Sequence, residues 1–221
     1  MNTSKFQILL VDDHPLITDA YEHAFINLGQ EKEMKFQISV AHDFPSALHA
    51  LDQRVYDIVF VDVQLEPSEQ DDLLSGEDLG VRIRERFDNT KIVMSTTFND
   101  HYRIQSIIEQ VSPDGFLIKN DLTPPELQLA IWKVLKEPPY YSKTVVESMR
   151  QFISNDFVLD RIDRQLLYYL AQGANQYEIA DLLSLSRAAI VKRKKHLKEV
   201  FDVENREDRI LLEKARKKGF I

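Results

Sequence analysis

Apolar positions along this chain change their spacing in a regular alternation. Short, nearly continuous apolar runs occur at Phe6–Val11, Phe36–Ala41, Asp57–Val61, Lys91–Ser95 and Gly115–Ile118. They are β-branched and bounded by charged or turn residues, which predicts strands. Between and after them, apolar residues recur at helical spacing over Pro15–Leu28, Phe44–Gln53, Glu77–Phe87, Asp100–Gln110 and Pro124–Leu135, several of these segments opening with Pro or Asp. Five strands alternating with five helices predict an α/β fold with a doubly wound, five-stranded parallel sheet, because parallel neighbours need crossover helices. In such sheets chemistry collects beyond the carboxyl ends of the strands.

The alternation stops at Lys136–Lys143, "KEPPYYSK", where paired prolines interrupt it. The following "TVVESMRQFI" places Val145, Met149 and Phe152 on one helical face, which predicts a linker helix. From Leu159 onward no strand is needed. Four helices are predicted there, over Arg161–Gln172, Gln176–Leu183, Arg187–Val200 and Arg206–Lys218. The expected organisation is an α/β domain over 1–137, a linker over 138–156 and a small all-α domain over 157–221.

Composition and charge narrow the possibilities. With no cysteine in 221 residues, disulfides, thiolate zinc sites and thiol nucleophiles are excluded, which fits a reducing compartment. The first apolar run meets Asp12 and Asp13 too early for a signal peptide or membrane span, so the expectation is a soluble cytoplasmic protein without a membrane partner. The net charge of −8 hides a division: residues 159–221 hold 14 Lys+Arg against 10 Asp+Glu, which leaves 14 against 26 for residues 1–158. The two parts are expected to meet different partners.

The acidic part offers a candidate site. Asp12 and Asp13 follow the first strand and Asp62 follows the third, so one sheet edge gathers three carboxylates that would repel one another unless a cation sat among them. Mg²⁺ suits oxygen ligands that are few and acidic. Thr96 after the fourth strand adds a hydroxyl and Lys119 after the fifth adds an ammonium. Such a set would stabilise the equatorial oxygens of a phosphoryl group, with a carboxylate as nucleophile. Ser95, Thr96 and Thr97 are adjacent, and strand alternation alone does not choose among their hydroxyls. His14 is expected to start a helix rather than bind metal.

This arrangement resembles the receiver domain of two-component response regulators, over residues 5–137. The resemblance implies that Asp62 is the phosphoacceptor, that Thr96 and Lys119 contact the phosphoryl group, and that Phe116 is the aromatic whose rotamer follows phosphorylation. It further implies Mg²⁺ held by Asp13 directly, by Asp12 mainly through water, by Asp62 and by the backbone carbonyl of Gln64. One departure is the segment "VQLEPSEQDDLLSG", which puts Gly76 fourteen positions after Asp62 and carries Glu66, Glu69, Asp71 and Asp72. A solvated surface insertion is expected there.

The basic part has the form of a helix-turn-helix over Gly173–Phe201, with a turn at Ser184–Ser186. At about 100° per residue Ile190, Leu197 and Phe201 form one stripe toward a core. Lys192, Lys195 and His196 lie opposite, flanked by Arg187, Arg193, Lys194 and Lys198, and no acidic residue falls between Arg187 and Lys198. Such a face should attract phosphates. "LAQGANQYEIADLLSLS" is similar to the LuxR-type helix-turn-helix of NarL/FixJ response regulators, over residues 157–218. Val191 stands where that family often has a DNA-contacting Lys and Ala189 where it usually has Thr, which moves base contact toward Lys192 and Arg193.

Taken together, the two resemblances imply a regulator that a sensor histidine kinase phosphorylates and that binds double-stranded DNA, as a homodimer when phosphorylated or on DNA. It would not be an enzyme, slow autodephosphorylation aside. The alternative is a receiver with a vestigial helix-turn-helix that signals through protein contacts. An aspartyl-phosphate hydrolase resembling the haloacid dehalogenases would instead carry Asp-x-Asp after its first strand, and here the pair is adjacent.

Overall fold

The computed structural model describes residues 5–68, 70–151, 159–203, 208–218 and 220–221. Strands β1 (Lys5–Val11), β2 (Lys35–Ala41), β3 (Ile58–Asp62), β4 (Lys91–Thr96), β5 (Gly115–Ile118) and β6 (Tyr140–Tyr141) form one sheet in the order β2-β1-β3-β4-β5-β6. Every pairing is parallel. The crossovers are α1 (Pro15–Lys32), α2 (Phe44–Gln53), α3 (Gly76–Arg86), α4 (His101–Val111) and α5 (Pro124–Lys136). The alternating faces of the strands divide the core. Leu9, Val11, Val59, Val61 and Met94 pack with α2, α3 and α4, while Ile8, Leu10, Ile58, Phe60 and Val93 pack with α1 and α5. Each fully buried large side chain contributes about 1.5–3 kcal/mol.

Two features depart from the sequence expectation. Helix α1 continues past Leu28 through Gly29 to Lys32 and ends only where Glu33 adopts a left-handed conformation, φ 52°. Here packing of Phe25 and Leu28 overrides the glycine signal. The second is the sixth strand: Tyr140 and Tyr141 pair with Gly115 and Phe116, so the sheet has six strands rather than five. Helix α6 (Lys143–Gln151) follows, with Val145 wholly buried in the receiver-side core and Met149 partly exposed. Its N-terminus is tied to the end of β5, where the Asp121 carboxylate accepts hydrogen bonds from Ser142 Oγ (2.7 Å), Thr144 N (2.9 Å) and Thr144 Oγ1 (2.7 Å). Much of the expected linker is thus built onto the sheet; Phe152, expected on the same face, lies outside the described residues.

The remaining helices are α7 (Arg161–Ala171), α8 (Gln176–Leu182), α9 (Arg187–Val200) and α10 (Asp208–Lys217). They close over a separate core of Leu159, Leu166, Leu167, Ile179, Ile190, Leu197, Phe201 and Leu211. Asn175 caps α8 through Tyr177 N and Glu178 N, and Ser186 caps α9 through Ala189 N. Gly173, at φ 87°, turns the chain between α7 and α8. Among the described residues no helix is long and apolar enough to cross a membrane.

Candidate functional site

The strand order reverses between β1 and β3, which are neighbours although β2 intervenes in sequence. Such a switch point opens a crevice beyond the strand ends. Because Val11 stands opposite Val61, Asp12 and Asp62 leave the sheet side by side. Both are almost fully buried, and Lys119 at the end of β5 reaches across to them, its Nζ 2.7 Å from Asp12 Oδ2 and 2.9 Å from Asp62 Oδ2. Asp62 Oδ1 accepts a long hydrogen bond from Gln64 N, 3.3 Å. Burial pushes the Asp62 carboxyl above its ordinary pKa; Lys119 opposes that shift and Asp12 adds to it. For Lys119, burial alone would lower the pKa, and the two carboxylates outweigh it and raise it. The group in surplus here is therefore negative.

Asp12, Asp13, His14 and Asp62 each offer a ligand atom within 4.8 Å of the others. Asp12 Oδ2 and Asp13 Oδ1 are buried without an aligned hydrogen-bond donor, although Lys119 and His14 Nδ1 stand near them as ion-pair partners. Carboxylate oxygens left unsatisfied in this way fit a hard divalent cation. His14 occupies the N-cap position of α1 without a capping hydrogen bond from its side chain, which is exposed with Nδ1 2.6 Å from Asp13 Oδ1. It stands at the rim of the cluster.

The hydroxyls separate by face. Thr96 lies above Met94, on the side of the sheet that holds Phe116 and Ile118, and its Oγ1 accepts from Phe98 N at 3.1 Å. Ser95 is on the opposite side, against Tyr21, whose hydroxyl burial drives to a raised pKa. Thr97 is exposed and donates to the Gln64 side chain. Phe116 is completely buried one strand from Met94. Asp12, Asp13, Asp62 and Lys119 thus converge, with Gln64 and Thr96 at the adjoining strand ends. Phe116 lies beneath them in the core.

The basic helix α9 turns Ile190, Leu197 and Phe201 into the core as the stripe predicts. Lys192, Lys195 and His196 are exposed, with Val191 beside them. Arg187 is also exposed and stacks over Tyr177, 4.2 Å from the ring centroid. The three remaining basic residues, expected to flank this face, are half-buried beside it and ion-paired to other parts of the unit. Arg193 bridges Asp160 and Asp163, each 2.8 Å away, and Lys194 and Lys198 both hold Asp208, at 3.0 and 2.7 Å. Carboxylates from α7 and α10 occupy them, which local sequence around α9 could not show.

Residues 8–131 match the response regulator receiver domain family. The chain belongs to the response regulators. Its receiver is followed by a helix-turn-helix unit, the organisation of the NarL/FixJ type. It is similar to the oxygen regulatory protein NreC of Staphylococcus haemolyticus, 23% identical over 97% of this chain and 99% of that one, and to NreC of Staphylococcus aureus at 24% over the same shares. Among solved structures it resembles RcsB from Salmonella enterica serovar Typhimurium bound to promoter rprA with phosphomimetic BeF3−, TM-score 0.68, 20% identity, over 96% of this chain and 98% of that one. A structure of two RcsB dimers bound to two parallel DNAs matches with TM-score 0.60 and 20% identity, over 96% and 98%. At these identities the structural likeness shows a shared fold.

One group of charged residues escaped the sequence reading. Where the receiver meets α7, Glu77, Asp78, Arg103 and Arg164 are all buried. Arg103 lies 2.6 Å from Glu77, and Arg164 lies 3.1 Å from Asp78 and 3.5 Å from Glu77. The only available signal was Glu77 and Asp78 in the first turn of α3, which reads as ordinary helix-dipole compensation.

Proposed function

We propose that this response regulator accepts a phosphoryl group on Asp62 from a sensor histidine kinase and acts as a sequence-specific DNA-binding transcription regulator. The observation that carries the reading is the Lys119 ammonium held between Asp12 and Asp62, with the Thr96 hydroxyl at the next strand end. A bond forms between an Asp62 carboxylate oxygen and phosphorus as the phosphorus–nitrogen bond of a phosphohistidine breaks, its electron pair returning to the imidazole. Lys119 turns from the carboxylates to the phosphoryl oxygens, and Thr96 donates its hydroxyl to another. Asp12, Asp13, Asp62 and the Gln64 carbonyl would hold Mg²⁺. When bound, the ion supplies positive charge beside the transferring group. Movement of Thr96 opens space for Phe116 on the same face, which propagates the change. The chain takes up the group without turning over a substrate.

For the effector unit, Lys192, Lys195 and His196 face outward from α9 and are suited to a major groove, with Arg187 at its start. RcsB has been solved as dimers on DNA, and a two-fold site suits a homodimer here. We place the receiver over 1–137, the linker over 138–156 and the DNA-binding unit over 157–221. Incubation with acetyl phosphate and Mg²⁺ should add one phosphate, and random-oligonucleotide selection with and without beryllofluoride should enrich one sequence. Undiminished labelling of Asp62→Asn overturns the first half. Failure to enrich any sequence overturns the second, in favour of signalling through protein contacts.

A further inference from the structure

Where the receiver meets α7 the chain encloses a cavity of about 650 Å³. Of the residues at the acidic edge only Gln64 reaches it; Asp12, Asp13, Asp62, Thr96 and Lys119 do not line it. One wall is the segment between β3 and α3, which is not the solvated insertion expected from sequence. Leu65 and Leu73 are buried, Ser68 and Leu73 pair in an isolated bridge, and Asp72 accepts from Arg161 and Gln165 of α7. Leu65, Pro67 and Leu74 make this wall apolar, and Phe98, Tyr168 and Phe220 add aromatic surface. Three arginines complete the lining: Arg103 from α4, Arg164 from α7 and Arg216 from α10. No acidic side chain lines the cavity among the described residues.

The arginines carry more positive charge than their neighbours neutralise. Glu77 and Asp78 approach from outside the cavity: Arg103 Nη1 lies 2.6 Å from Glu77 Oε2, and Arg164 lies 3.1 Å from Asp78 and 3.5 Å from Glu77. Arg216 is exposed and makes no ion pair among the described residues. Asp100, just before α4, is matched by Lys218 at 3.2 Å. Three cations therefore face two carboxylates, an excess of one. Hydrogen bonding is incomplete as well. Arg103 is only 3% exposed, yet its Nε has no acceptor and its Nη1 is not aligned with Glu77; Arg164 Nε also lacks an acceptor. Buried donors short of acceptors cost free energy until a partner reaches the group. Water can hydrate such donors but brings no countercharge. The Arg103 guanidinium also lies over the Phe220 ring, 5.3 Å from its centroid, which sets cation and aromatic surface side by side.

We propose that this cavity binds a small organic monoanion, a carboxylate on an aromatic or short alkyl body. The carboxylate lies toward the arginines and the body against Phe98, Tyr168 and Leu65. A phosphate dianion would overshoot the single excess charge and lose more hydration on burial. The volume agrees, since pockets for small molecules span roughly 300–1,000 Å³. The site is separate from phosphoryl uptake and needs no assumption about Asp62.

Calorimetric titration of the full-length chain with benzoate, 4-phenylbutyrate and octanoate tests it. At least one of them should fill one saturable site per chain, with a Kd of about 1 mM or tighter. The matching neutral amide should bind at least about tenfold more weakly, the scale of one charge-assisted contact. Arg216→Gln, which breaks no ion pair among the described residues, should weaken the carboxylate and leave the amide unchanged. Ala171→Trp, which fills the cavity from α7 and alters no arginine, should abolish binding of both, with a thermal melt showing that each variant is folded. Saturation by none of the three carboxylates overturns the site. So does equal affinity for acid and amide, equal competition by inorganic phosphate, or undiminished binding in either folded variant.

Discussion

The acidic edge of the receiver and the basic helix of the effector unit are both surfaces of concentrated charge, yet they are assembled in opposite ways. At the receiver edge, backbone topology forces like charges together. Register places Asp12 beside Asp62, and burial leaves them short of positive charge even after Lys119 has been spent on both. On α9 the reverse holds: seven basic residues occupy one helix and its start, and three of them are neutralised by Asp160, Asp163 and Asp208 from other helices. A charge run in sequence overstates a binding face, whereas carboxylates at converging strand ends understate the strength of their field.

The sharpest way to break this comparison is to remove the residue on which the acidic edge depends. Asp62→Asn should lose phosphoryl incorporation from acetyl phosphate completely, as read by intact mass, while leaving α9 and any basal DNA retention unchanged. No single substitution on α9 should abolish a function so fully, because its outward charges are spread over several side chains. Residual labelling that moved to Asp12 or Asp13 would show that position within the cluster, rather than identity, selects the acceptor.

That contrast also explains what was legible beforehand. Strand ends and their acids could be placed because a parallel sheet has only one way to bring β1, β3, β4 and β5 to a common edge. The core stripe of α9 was equally plain, since helical spacing alone turns Ile190 and Leu197 inward. Long-range partners were not. Asp160 lies 33 residues from Arg193 in sequence, and Arg164 meets Glu77 and Asp78 from the other domain. The two tyrosines of β6 were hidden by the paired prolines before them, because a two-residue strand at an edge needs too little pattern to register.

Gly76→Ala should produce the next largest effect. Its Cβ has no room against the Asp62 carbonyl, so the acceptor strand or α3 must shift, costing roughly 1–3 kcal/mol or more in urea unfolding. Gly173→Ala, in open space but at φ 87°, should cost less, about 1 kcal/mol from backbone strain. Equal costs at the two sites would mean that the contact at Gly76 relaxes freely.

On the basic helix, exposure sorts the residues into two classes with different defects. Lys192 makes no ion pair among the described residues and is free to meet DNA, so Lys192→Ala should weaken the specific site by about 1–3 kcal/mol and relax selectivity at one position. Arg193→Ala should leave the salt dependence of binding nearly unchanged and lower stability, because it strands Asp163, whose carboxyl burial already raises in pKa. Titrations across salt on specific and scrambled DNA separate the two. A fall of about one in the salt slope for Arg193→Ala would show that it leaves its aspartates on binding and joins the phosphates.

The smallest expected effect tests whether the internal pairs of α9 matter to the fold at all. Partial burial by itself would raise the Asp208 pKa, but the hydrogen bonds from Lys198 and Lys194 prevail and hold it below the usual carboxylate range. A carboxyl depressed on folding stabilises the native state fully above its unfolded pKa, near 4, and loses that contribution as pH falls through the folded value. The wild type should therefore shed a little more stability than Asp208→Asn between roughly pH 5 and pH 3, and the two should differ by a constant amount at neutral pH. With Asp208 about one-third exposed, solvent screening keeps the difference at or below about 1 kcal/mol. Urea titrations of both chains at a series of pH values give the comparison. If the gap between them is already constant from pH 3 upward, the lysines do not hold Asp208 in solution, and Lys194 and Lys198 return to the set of charges that α9 can present to DNA.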